Sequence, residues 1–164
     1  MNKLVIRTVE GFIRKLEEDG LSKYATELRS VIAMSRKRRD AFSALSNINI
    51  TLLTHLIKYI SMPQARDRNK WRREIRGYLF GFNIKNKSPK GLPWLSLSYI
   101  QNDLNDILSD SGFIDHIGHE LENFPDKNKI LSLLKTNKSL KSFGIKFFYD
   151  TGNKLNININ DEPL

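Results

Sequence analysis

The chain of 164 residues contains no cysteine. That absence removes disulfides, thiolate metal centres and cysteine nucleophiles together, and it fits a reducing compartment. A glycine-rich phosphate loop and a Gly-x-Ser-x-Gly elbow are also missing, as is any paired-carboxylate pattern suited to acid–base work. No stretch approaches the ~20 apolar residues that a membrane helix needs. The richest, 48–60, is interrupted by Asn49, Thr51, Thr54, His55 and Lys58. The opening run from Met1 to Arg7 has no long apolar region and no small-residue cleavage site, so no signal peptide is expected. These absences predict a cytoplasmic protein with no membrane partner and no cofactor.

What the chain does have is charge, unevenly spread. Residues 1–90 hold 20 Lys/Arg against 8 Asp/Glu, and residues 91–164 hold 7 against 10, giving the net +9. All seven bases of the second part are lysine. The excess peaks at Arg66, Arg68, Lys70, Arg72, Arg73 and Arg76, where the acids are Asp67 and Glu74. Such a field points to an anionic partner, nucleic acid first and an acidic protein second.

With 40% hydrophobic residues and 16 aromatics, the chain can bury a real core. A single domain over 1–164 is the default at this length, with a basic helical half 1–82, a loop 83–95 and a second helical half 96–164.

Periodicity predicts a compact, mainly α-helical bundle of six or seven helices with a C-terminal β-hairpin. Val5, Val9, Phe12, Ile13 and Leu16 recur at helical spacing before a stop at Gly20. Ser22 opens a helix with Tyr24, Ala25, Leu28, Val31 and Ile32, which ends near Ser35 or runs to Ala44. Asn47 or Asn49 caps the next, carrying Ile50, Leu53, Leu56, Ile57 and Ile60, and Pro63 closes it.

A fourth helix over 65–82 puts Trp71, Ile75, Tyr78, Leu79 and Phe82 within about 100° of arc. Arg66, Lys70, Arg72, Arg73 and Arg76 take the opposite side. The loop 83–93, with two prolines and a glycine, is the one plausible linker. Helices from Ser96 or Ser98, over 112–123, and from Pro125 follow. Ile145 to Tyr149 and the alternating Leu155, Ile157 and Ile159 flank turn residues Asp150 to Asn153, which reads as a hairpin. A hairpin alone is marginal in water, so it must lie on the helices or join a partner's sheet, where it could also build an oligomer.

The leading binding candidates are therefore Arg66, Lys70, Arg72, Arg73 and Arg76, helped by Arg36, Lys37, Arg38 and Arg39. Lys85, Lys87 and Lys90 add to the same sign of charge. Arginine outnumbers lysine in the first two groups and favours bidentate phosphate contact. The bland reading is a solvated helix face. A second functional class is a protein-interaction subunit of antitoxin or immunity type, using the basic face and the hairpin.

His116, His119 and Glu120 share one helical face at i, i+3 and i+4, which could serve zinc or phosphodiester cleavage. Gly118 weakens that helix and no metal ligand beyond these is evident, so ordinary surface histidines are expected. His55, among Leu53, Leu56 and Ile57, reads as a hydrogen-bonded boundary residue. Trp71 reads as core, and Trp94 is open.

The segment from Leu52 to Leu79 resembles the helical bacterial family catalogued as domain of unknown function twenty-nine. The matching residues are Leu53, His55, Leu56, Lys58, Pro63, Arg66, Trp71, Arg72, Glu74, Ile75 and Arg76. The resemblance implies two adjacent helices of a small bundle, with Trp71 and His55 packed between them. It implies no activity.

Overall fold

The computed structural model of the protein describes residues 8–164, and Val5 lies outside them. Thr8 opens helix α1 (Val9–Glu18) by accepting a hydrogen bond from the Gly11 amide at 3.0 Å. Gly20, at φ +78°, closes it. Its amide reaches Glu17 O while the Leu21 amide reaches Leu16 O, the paired bonds of a Schellman stop.

Helix α2 (Ser22–Ser61) is one unbroken element of 40 residues, where the sequence reading places two helices. No glycine or proline occurs between Leu21 and Met62, so nothing interrupts propagation once the helix has started. The four bases from Arg36 to Arg39 are simply exposed on helical backbone. Asn47 and Asn49 are interior residues instead of caps, and Asn49 is buried with its amide 3.3 Å from the Asp103 carboxylate.

The chain divides into two units, one ending at Arg39 and the other running from Asp40 to Leu164. In the first, Ile13 and Ala25 are the buried apolar residues among those described, while Tyr24 and Val31 of the expected stripe are exposed. Ion pairs join Lys15 to Asp19, Arg29 to Glu17 and Arg36 to Glu10.

The second unit holds the remainder of α2 together with α3 (Arg68–Lys85), α4 (Leu97–Ser109), α5 (Ser111–Glu120) and α6 (Lys127–Thr136). Six α-helices and a C-terminal antiparallel sheet make the described chain mainly α, as its periodicity predicts. Ser96 caps α4 and Asp110 caps α5 through their side chains. One continuous core gathers Leu53, Leu56 and Ile57 of α2 with Trp71, Ile75, Leu79 and Phe82 of α3. Leu104, Ile117, Ile130 and the inner face of the sheet complete it.

Strands β1 (Ile145–Tyr149) and β2 (Leu155–Ile159) pair in the predicted hairpin, with Phe147 opposite Ile157. A short β3 (Glu162–Pro163) extends the sheet beyond the hairpin. Asp150 shapes the turn by accepting from the amides of Gly152 and Lys154 at 2.8 and 2.9 Å. These bonds, that from Lys154 foremost, hold its carboxyl below the ordinary value. Ile145, Phe147, Leu155, Ile157 and Ile159 are buried, so the hairpin covers its apolar face on the helices of its own chain.

Two asparagines fix that docking. The Asn83 amide accepts from Leu155 N at 2.7 Å and donates to Leu155 O at 3.0 Å. Asn86, which is buried, accepts from Leu95 N and donates to the Tyr149 hydroxyl, itself bonded to Leu95 O at 2.7 Å. The segment expected as a linker is thus tied down. Helix α3 runs to Lys85, three residues past the expected end at Phe82, and the loop that follows is held at both sides of its tip.

Candidate polyanion-binding site

Helix α3 turns Trp71, Ile75, Leu79 and Phe82 into the core, with Tyr78 at the boundary. The Trp71 indole packs 6.2 Å from the Phe124 ring. With the inner stripe fixed, helical geometry sends positions 70, 73, 76, 77, 80 and 84 to the other side, while Arg66 stands in the turn before the helix, not on the helix expected from position 65. All seven are exposed.

Arg66, in the turn before α3, and Lys70 and Arg73 have no hydrogen-bond or ion-pair partner among the described residues. Arg76 is exposed too, and its Nε donates to Leu164 O at 3.2 Å. The only carboxylate within α3, Glu74, faces away from this surface. Its Oε2 lies 2.8 Å from His55 Nε2, while His55 Nδ1 donates to Thr51 O at 2.7 Å. His55 is therefore a hydrogen-bonded boundary residue, as its setting in the sequence predicts, and it also approaches α3 at Glu74.

Arg72 departs from the expected face. It is half-buried at the flank of α3, and its Nε is buried without a partner. With Arg68, Tyr59, Asn160 and Glu162 it lines a polar cleft of about 370 Å³. The Arg68 guanidinium lies 4.1 Å over the Tyr59 ring, and its Nε donates to Tyr59 O. At ~100° per residue, positions 68 and 72 sit only about 60° and 100° from Trp71, which explains both placements.

Arg36, Lys37, Arg38 and Arg39 are exposed on α2 in the other unit, where Arg36 pairs with Glu10 at 3.4 Å. Lys85, Lys87 and Lys90 are exposed at the C-terminal end of α3 and in the loop beyond it.

Sequence reading passed over Phe80 and Ile84. They are 69% and 60% exposed, and Phe80 is the most exposed large hydrophobic residue among those described. A signal was available, because position 80 lies about 180° from Trp71 on an α-helix. It was masked by the surrounding apolar run from Tyr78 to Phe82.

The histidine constellation does not assemble. His116 stacks on the Phe113 ring at 6.4 Å and borders a hollow with Asp103, Asp106 and Asp110. Glu120 is drawn instead to Lys58, at 2.9 Å. Among the described residues no three His, Asp or Glu side chains converge as a metal would require. No described helix is long and apolar enough to cross a membrane. Compared with known proteins, the chain matches no family model, no curated protein and no solved structure.

Proposed function

We propose that this is a binding protein that docks a nucleic acid on the outer face of α3 and the turn before it, through Arg66, Lys70, Arg73 and Arg76. The observation that carries the reading is electrostatic. Arg66, Lys70 and Arg73 are exposed cations that form no ion pair among the described residues, and the helix's one acid lies beside His55. A cationic surface that its own chain does not neutralise attracts phosphates and releases their counterions on contact. Lys85, Lys87 and Lys90 extend the same sign along the chain. Arg72 and Arg68, committed to the flank, contribute less. The hairpin's apolar face is covered by its own chain, so a partner could meet the sheet only along a strand edge.

The test is a salt titration of binding to a fluorescent oligonucleotide. Replacing Arg66, Lys70 and Arg73 with Ala lowers affinity alike for unrelated sequences. It also flattens the dependence of log K on log salt by about 2 to 3, at ~0.7–0.9 per lost phosphate contact. Unchanged affinity and slope in the triple variant would remove this face from consideration.

A further inference from the structure

The outer face of α3 is not uniformly cationic. Its N-terminal part carries Lys70, Arg73 and Arg76, with Arg66 in the turn before it, and one turn further on it presents Phe80 as a nearly bare ring. Phe80 makes no ring contact with another described aromatic. At ~100° per residue Phe80 stands on the same face as Arg73 and Arg76, with Arg76 one turn before it. Position 77 is glycine, and a β-carbon built there meets nothing within 4 Å. The face is therefore open at position 77, between the turn of Arg73 and that of Phe80.

We infer that the nucleic acid taken by this face is single-stranded, with an unpaired base stacked on Phe80 and the adjoining phosphates held by Arg73 and Arg76. This rests on the nucleic-acid reading above and specifies its substrate class. In a duplex each base is stacked between its neighbours and shows only its edge in the grooves, so an exposed phenyl ring beside arginines finds no face to cover. A single strand offers one at every nucleotide, and aromatic stacking beside a cationic track is how sequence-tolerant strand binding is built. The charge on this face excludes a second copy of the same helix as its occupant, since cations would meet cations.

Fluorescence anisotropy with a labelled oligothymidylate, and with a duplex of equal length at the same salt, tests it. The wild-type protein binds the single strand more tightly. F80A loses at least about fivefold on the single strand and leaves the duplex value unchanged, the usual range for one stacked base being ~5- to 150-fold. F80W restores the loss. Thermal melts of both variants confirm that the fold is intact, as expected for so exposed a position.

If F80A leaves single-strand affinity unchanged while the Arg66/Lys70/Arg73 variant weakens both probes, the strand inference fails and the nucleic-acid reading stands. Equal wild-type affinity for the two probes overturns the strand inference in the same way. If neither probe binds the wild-type protein at low salt, both readings fall. An acidic peptide that binds in their place, weakened by F80A, would assign the ring to a protein partner.

Discussion

A lysine left only 7% exposed needs a counter-charge, and Lys58 has Glu120 at 2.9 Å with the Phe124 ring 6.0 Å away. The hydrogen bond from Lys58, and then its charge, hold the Glu120 carboxyl below its ordinary 4.5. A depressed carboxyl stabilises the fold above its ordinary value, and that contribution is lost as pH falls through the folded value. Glu120 itself is nearly half exposed, so solvent screening reduces the gain. E120Q should lower stability at pH 7 by about 1 kcal/mol, because the buried ammonium keeps only an amide oxygen. K58M, which removes the charge and keeps the volume, should cost less. Urea unfolding at pH 7 and at pH 4 checks both. The wild-type advantage over E120Q should shrink toward the lower pH, and a gap that widens there would show that the pair does not act as described.

The elements differ in how openly the sequence declares them. Helix α3 was legible because Trp71, Ile75, Leu79 and Phe82 keep strict helical spacing against a polar remainder, and that same pattern placed Lys70, Arg73 and Arg76 outside. Arg72 was misplaced because its position sits at the edge of the stripe, where neighbouring strands decide burial. The continuity of α2 was hidden for another reason. Arg36 to Arg39 put charge on every side, which ends an amphipathic pattern without ending a helix, and Asn47 and Asn49 imitate caps. Docking by Asn83 and Asn86 was invisible, since an amide reaching a distant backbone leaves no periodic trace. Gly77 and Gly81 make a further point about α3. Neither has a neighbour where a β-carbon would go, so the fold itself gives no reason for two glycines inside a helix. G77A and G81A should each raise stability by about 0.8–1 kcal/mol from helix propensity alone, read by thermal or urea unfolding. A loss in either would reveal a packing contact that the open space does not contain.

At the scale of the whole chain, stability is concentrated in one unit. Every member of the continuous core lies between Ala41 and Ile159, whereas the unit ending at Arg39 buries only Ile13 and Ala25 among its described residues. Two buried apolar side chains and a few exposed ion pairs offset little of the conformational entropy of ordering more than thirty residues. A fragment of residues 40–164 keeps the core, and Asp40 would stand at the start of its first helix, where an acidic side chain both caps and complements the helix dipole. The fragment should therefore unfold cooperatively, with a urea midpoint close to that of the full chain. In the intact protein, amides of residues 8–39 should exchange with solvent far faster than those of Leu56 or Leu104, because local opening there costs little buried surface. Since Arg66, Lys70, Arg73 and Phe80 all lie in the retained unit, the nucleic-acid binding proposed for this face should persist in the fragment, apart from whatever Arg36 to Arg39 supply through charge. A fragment that fails to fold, or slow exchange throughout residues 8–39, would mean that the first unit stabilises the second.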